Sequence, residues 1–310
     1  MNNNAMHRYE INQCALYKCS NKKRLEHLLL LKENELKQIK EYVRYYNFST
    51  PKKDGSPRKI TAPCDKLKRI QRRILRLLSP IKRPDWLISG ERGKSYIDNG
   101  KSHIDSKYFL AMDIKSFYPN CQREYVFRFF TDVLYTAPDI AKILTDIITY
   151  NGGIPTGCPT SQLIAYYAYE NMFKEIYEIA LKYHCKFTLY VDDMTFSSNF
   201  PFNPKKLEQE IDIQLRRYKH KPKYSKVKYY PANTFKLVTG TTVSPDNQLL
   251  VTNNLRQKIV VNFKELKKNH GLSEDDRKKK IDSLKGQIQA ARNVNEMIFP
   301  EINRLINDLK

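Results

Sequence analysis

The stretch from Cys185 to Ser198, Cys-Lys-Phe-Thr-Leu-Tyr-Val-Asp-Asp-Met-Thr-Phe-Ser-Ser, constrains this chain most. Its flanks are rich in Phe, Thr, Leu, Tyr and Val, which suit a pleated surface, so it reads as strand, tight turn, strand. The turn falls at Val191-Asp192-Asp193, with two adjacent carboxylates at the tip. Neighbouring acids repel each other, and folding alone gives little reason to place them there. A bound divalent cation removes the repulsion, and hard cations such as Mg²⁺ prefer carboxylate oxygens. On this stretch alone a solvated Asp-Asp turn fits equally well, because Asp is a common turn residue.

A second stretch shifts the balance. Tyr108 to Asn120, Tyr-Phe-Leu-Ala-Met-Asp-Ile-Lys-Ser-Phe-Tyr-Pro-Asn, is an apolar strand that ends in Asp113. One acid at a strand end and two at a hairpin tip can converge on a point. That convergence is what a two-metal phosphoryl-transfer site requires, with its ions roughly 3.5–4 Å apart.

The charge agrees. The chain has 310 residues, 55 Lys and Arg against 33 Asp and Glu, and a formal net charge of +22. Such an excess points to a polyanionic partner rather than a small metabolite. The 21 tyrosines can serve as core, as base-stacking surface, or as both. Six cysteines occur without a CxxC pair, and the six histidines do not cluster with them, so reduced structural thiols are expected rather than zinc or disulfides. No stretch reads as a transmembrane run or a signal-peptide core, and the expectation is a cytoplasmic protein with no membrane partner.

Tyr-Val-Asp-Asp downstream of Asp-Ile-Lys-Ser-Phe-Tyr resembles the palm of a reverse transcriptase. Other segments extend the likeness. Residues 51–63 read as a basic hairpin with Asp54-Gly55 at the turn. It resembles the fingers element whose Lys and Arg grip the incoming triphosphate, here Lys53 and Arg58. Leu67, Ile70, Ile74, Leu77 and Leu78 fall at helical spacing opposite a face of cations, which suits contact with a template backbone. Asn99-Gly100-Lys101-Ser102-His103 resembles the Asn-Ala-x-x-His element of retron reverse transcriptases, with Gly100 in place of the usual Ala. Val238-Thr239-Gly240 equals the Val-Thr-Gly element of the same enzymes. The loop from Asn151 to Gln162 resembles the Leu-Pro-Gln-Gly element, but Thr156 stands where Gln is commoner and Gln162 where Pro is.

The resemblance implies an α+β right-hand polymerase: fingers, palm and thumb, with an antiparallel palm sheet. The expected divisions are an N-terminal helical segment over 1–50, fingers over 51–108, palm over 109–245 with 120–160 partly fingers, and a helical basic thumb over 246–310. That leaves no room for a further nuclease, integrase or protease domain. Within the thumb a helix break is expected at Asn269-His270-Gly271.

The implied site is Asp113, Asp192 and Asp193 holding two Mg²⁺ ions, with Mn²⁺ as a substitute and the Ile114 carbonyl as a further metal ligand. Tyr118 would exclude a ribonucleotide 2′-hydroxyl. Gly157 and Gln162 would line the nucleotide, and Lys226 would protonate the departing pyrophosphate. Asn99, His103, Val238, Thr239, Gly240, Lys278, Lys279 and Lys280 would contact RNA, His103 either in that way or as a structural residue.

The implied function is that of a retron RNA-directed DNA polymerase. It would use dNTPs to copy part of its own structured noncoding RNA, from a guanosine 2′-hydroxyl, into branched multicopy single-stranded DNA (msDNA). Phage defence with an effector protein from the same operon would follow. The alternatives are a defence reverse transcriptase with another priming rule and a catalytically idle RNA-binding protein.

Overall fold

The computed structural model describes residues 8–51, 55–268 and 273–307. Its contacts separate two compact units: Met1–Asp85, Ile114–Ile179 and Gln209–Pro222 form one, and Trp86–Asp113, Ala180–Glu208 and Lys223–Lys310 the other.

In the first unit, strand β1 (Tyr45–Pro51) pairs antiparallel with β2 (Pro57–Pro63), from Tyr45 opposite Pro63 to Pro51 opposite Pro57. The expected basic hairpin is therefore present, but it begins six residues earlier, inside the segment read as helical. Helix ends at Tyr42, and the run Tyr45-Tyr46-Asn47-Phe48-Ser49-Thr50 has the aromatic and β-branched character of a strand. The basic helix spans Asp65–Leu78 and buries Leu67, Ile70, Ile74, Leu77 and Leu78, as its spacing predicts. An aromatic core lies beside it, including Phe129 stacked on Tyr167 at 5.0 Å between centroids.

The second unit contains a four-stranded antiparallel sheet in the order β4-β5-β3-β6, with β3 Tyr108–Asp113, β4 Lys186–Tyr190, β5 Asp193–Ser198 and β6 Lys228–Tyr230. Beyond β4, residues 86–88 add a short parallel bridge: Leu189 N–H donates to the Trp86 carbonyl at 2.8 Å, and Ile88 N–H to the Leu189 carbonyl at 3.0 Å. A three-stranded antiparallel sheet follows, with β7 Lys236–Val238, β8 Thr241–Val243 and β9 Leu249–Val251.

Helices close the second unit. Asn253–Lys268 and Glu274–Arg292 enclose a core of Ile259, Leu266, Ile281, Leu284, Ile288 and Ala291, joined by Ile306 of Pro300–Asn307. The buried positions of Glu274–Arg292 recur every three or four residues, one stripe of an α-helix. Asn269-His270-Gly271 lies outside the described residues. Among the described residues, no helix is long and apolar enough to cross a membrane.

Candidate active site

Register places the acids. Asp113, the last residue of β3, is paired with Asp193, the first of β5, while Tyr190 closes β4 opposite Asp193. The turn is thus Val191-Asp192, one residue shorter than the expected tip. Because Cβ atoms alternate across a sheet, paired residues share a face, and Asp113 and Asp193 point the same way. Ligand oxygens of Asp113, Asp192 and Asp193 lie within 4.8 Å of one another.

The turn is strained. Val191 sits at φ 61°, a region where a β-branched residue is an outlier. Two-residue hairpins with a left-handed first position ordinarily take glycine there. Its backbone is held from outside the hairpin: Val191 N–H donates to the hydroxyl of buried Ser89 at 2.8 Å. Such strain persists only where the surroundings over-determine it, as at functional sites. Nothing in the sequence pointed to Ser89.

The electrostatics report crowded negative charge. Asp113 is 7% exposed. Burial, then the charges of Asp192 and Asp113, push the Asp193 carboxyl above the usual carboxylate range, with Lys226 partly offsetting them. Lys226 forms an ion pair with the Asp113 carboxylate. Burial works against its ammonium, but the hydrogen bond and charge of Asp113, with Asp193 and Asp192 behind, outweigh it and raise its pKa. An ammonium lodged on a carboxylate cluster is a cation already in place. Oxygen donors at this spacing fit a hard divalent ion. Asp113, Asp192 and Asp193 therefore fit the group the sequence implied. Ile114, next in the chain, is fully buried and forms an isolated antiparallel bridge with Pro222.

The other expected nucleotide contacts belong to the first unit. Arg58 is exposed on β2 opposite Thr50; Lys53 lies outside the described residues. Tyr118 is half-buried in the short Phe117–Asn120 helix. Gly157 is pressed on β2: its N–H donates to the Thr61 carbonyl at 3.0 Å, and a Cβ there would stand 2.8 Å from that oxygen. Thr156 Oγ1 accepts from Thr61 N–H at 3.4 Å. Gln162 is half-buried in the Ser161–Ala168 helix.

The expected RNA contacts divide. Lys278 and Lys279 are exposed on Glu274–Arg292, and Lys280 is half-buried, 3.7 Å from Glu265. Asn99, His103 and Val238 are instead interior, at 0%, 0% and 1% exposure. For these three the RNA-contact expectation is corrected, because side chains so enclosed have no surface to offer a nucleic acid; of the two readings of His103, the structural one holds. Asn99 Nδ2 donates to Thr239 Oγ1 at 2.8 Å. Thr239 and Gly240, with φ 40° and 88°, make the two-residue turn between β7 and β8, both positions left-handed, which glycine tolerates best. Gly100 also has a reason: a Cβ there would run into the Thr241 hydroxyl and the Leu249 side chain.

His103 makes the stability pH-dependent. Burial, helped by the Lys186 charge, lowers its pKa to about 3, and burial lowers His220 to about 4. Between those values and the unfolded value near 6.5 the unfolded chain binds the extra protons. The histidine contribution to stability is full above about pH 6.5 and falls as the medium is acidified, by on the order of 2 kcal/mol per histidine between pH 7 and pH 5, while the raised Asp193 carboxyl acts in the opposite sense. Unfolding free energies from urea titrations across that range should show a fall that is smaller in His103→Gln than in wild type by on the order of 2 kcal/mol. A His103→Gln slope equal to wild type would mean that His103 is not buried neutral.

The family described as reverse transcriptase (RNA-dependent DNA polymerase) matches residues 50–242, more than half of the chain. Retron Ec83 reverse transcriptase of Escherichia coli is 25% identical over 276 residues, 84% of this chain and 86% of that protein. Retron Se72 reverse transcriptase of Salmonella heidelberg is 28% identical over 148 residues, 47% of this chain and 39% of that protein. Retron Ec86 reverse transcriptase of Escherichia coli is 28% identical over 158 residues, 50% and 49%. The chain thus spans half or less of the length of the last two.

Among solved structures, telomerase from Candida albicans in complex with a TWJ fragment of telomeric RNA gives a TM-score of 0.50 at 12% identity, over 83% of this chain and 54% of that one. Apo telomerase from Candida tropicalis gives 0.50 at 10%, over 80% and 52%. These likenesses speak for the fold, which is the α+β class with an antiparallel palm sheet expected from the sequence. The chain belongs to the reverse transcriptase (RNA-dependent DNA polymerase) family, and the relatives it resembles above are retron reverse transcriptases.

Proposed function

We propose that this chain is the RNA-directed DNA polymerase of a retron, copying part of its own structured noncoding RNA into single-stranded DNA. The observation that carries the reading is the convergence of Asp113, Asp192 and Asp193 from two paired strands, their ligand oxygens within 4.8 Å. Asp113 and Asp192 would be the firmest ligands for two Mg²⁺ ions, with Asp193 completing the cluster. When bound, such a pair supplies Lewis acidity to the primer hydroxyl and charge neutralisation to the triphosphate.

The remaining work is positioning and electrostatics. Arg58, with its planar fork, grips phosphate oxygens, joined by Lys53. Tyr118 blocks the space beside the sugar. The Gly157 N–H and the Thr156 hydroxyl are occupied by β2, so Gln162 is the side chain of that loop left to reach the nucleotide. Lys226 Nζ, charged beside Asp113, holds a proton for the leaving pyrophosphate. The dense positive charge binds the RNA and its cDNA. A role in phage defence with an effector from the same operon, in the cytoplasm, completes the reading.

The test is to purify the protein from its native locus and sequence the nucleic acid bound to it, before and after RNase and debranching treatment. A short DNA joined 2′–5′ to one defined RNA is the expected product. Unlinked DNA would point to a defence reverse transcriptase with a different priming rule, and RNA with no DNA to an idle binder.

A further inference from the structure

Two side chains of the segment from Tyr96 to His103 are sealed in the interior and take no part in the chemistry above. His103 reaches both strands of the Asp192 hairpin. Its Nδ1 lies 2.6 Å from Ser197 Oγ on β5, and its Nε2 lies 2.7 Å from Thr188 Oγ1 on β4. Ser197 donates onward to Ser106 Oγ at 2.9 Å. With that hydroxyl proton committed, one neutral tautomer satisfies the set: Nδ1–H donates to Ser197, and Nε2 accepts from Thr188.

The ring spans a diagonal. Thr188 is paired with Thr195, and Ser197 lies two residues further along the same face. That face also carries Tyr190 and Asp193, and Asp113 through β3. Asp193 is four residues before Ser197, about 13 Å along the strand. His103 is therefore too far away to touch reacting atoms, yet it shares a rigid element with them.

This hairpin has weak determinants of register. Thr188, Leu189, Met194, Thr195, Phe196 and Ser197 are all buried, so water does not distinguish its two faces. Where one face is wet, a one-residue slip exposes apolar side chains and is strongly opposed; that restraint is reduced here. Val191 at φ 61° gives the turn no intrinsic preference for its place. Asp193 is held opposite Asp113 by the six-residue β3–β5 ladder, but a one-residue slip of β4 on β5 would present Phe187 or Leu189 to the imidazole and displace the turn that carries Asp192. The segment bearing the ring is itself anchored, through Asn99 Nδ2 to Thr239 Oγ1 at 2.8 Å.

We propose that His103 is a positioning residue, a neutral bracket across Thr188 and Ser197 that fixes the register of β4 on β5 and so places the turn residue Asp192 beside the paired Asp113 and Asp193. The inference rests on the reading of those three carboxylates as a metal site.

The test is Mn²⁺ binding to the full chain, followed by the loss of the free-ion electron paramagnetic resonance signal. Wild type is compared with Thr188→Val, Thr188→Ser, Ser197→Ala, His103→Phe and Asp192→Asn, each also melted by circular dichroism. Thr188→Val keeps shape and removes the hydroxyl; it should weaken Mn²⁺ binding about 10-fold, the scale of outer-shell substitutions. Ser197→Ala should do the same, His103→Phe at least as much, and Thr188→Ser should stay within about 2-fold of wild type. If Asp192→Asn loses Mn²⁺ while Thr188→Val and Ser197→Ala keep it, the positioning role is overturned alone. If Asp192→Asn binds as wild type does, the metal-site reading falls and this inference with it. If binding in the bracket variants falls only by the fraction unfolded, His103 is a stability residue and the proposal is wrong.

Discussion

Replacing Asp192 with Asn is expected to lower dNTP incorporation on a primed RNA template by at least about 10³-fold, at the upper end of losses for a single electrostatic group. RNA affinity should stay within about 2-fold, because it rests on the Lys and Arg surface rather than on this carboxylate. Asn preserves size and one acceptor oxygen and replaces the other with an NH₂ donor, so the change removes the charge with little change of shape. The surroundings give a second readout of opposite sign. Burial and the Asp192 and Asp113 charges raise the Asp193 pKa, which means that the three acids repel one another in the folded state. Removing one charge relieves that repulsion, and the metal-free Asp192→Asn chain should melt a few degrees higher than wild type. Lower activity with a higher melting temperature separates lost chemistry from lost folding. Incorporation within 10-fold of wild type would remove the carboxylate cluster as the catalytic centre.

The acids were legible because their signal is local: apolar strand residues run straight into carboxylates that folding does not ask for. The Asp65–Leu78 helix was legible for the same reason, its buried positions lying three or four apart. The start of β1 was not. Tyr45 to Thr50 lack the Gly or Pro that would have punctuated them, and the strand is mostly exposed on both sides, so no alternation marked it. The roles of Asn99 and His103 were beyond sequence reading for a different reason. The resemblance to the retron Asn-Ala-x-x-His element carried the RNA-contact expectation, and nothing local in the sequence marks these two polar residues as interior. Their partners Thr239, Ser197 and Thr188 are 140, 94 and 85 residues away. One clue was present: Thr188, Thr195 and Ser197 put hydroxyls on one face of an otherwise apolar hairpin, and a buried polar face needs a polar partner. Gly100 became intelligible only with Thr241 and Leu249 packed against it.

Tyr118→Ala should admit ribonucleotides, with deoxy-over-ribo selectivity falling by about 5- to 150-fold. That range corresponds to roughly 1–3 kcal/mol for forcing an extra group into a filled site. A steric filter works only if it cannot yield, and the backbone here is restrained. The Tyr118 carbonyl accepts from Ile154 N–H at 3.1 Å and from Cys121 N–H at 3.1 Å. Gly153 leaves no slack, since a Cβ there would sit 2.5 Å from the Pro119 carbonyl. The preceding Phe117 is buried against Phe173, Tyr169 and His220, with centroids 5.9, 6.3 and 5.3 Å away. The Tyr118 ring itself is half-buried. Because exclusion depends on ring volume rather than on the phenol hydroxyl, Tyr118→Phe should keep the wild-type selectivity. The measurement is the ratio of kcat/KM for a dNTP and the matching rNTP in single-nucleotide extension. Equal ratios in wild type and Tyr118→Ala would remove Tyr118 from sugar selection, and a loss shared by Tyr118→Phe would move the discrimination from bulk to the hydroxyl.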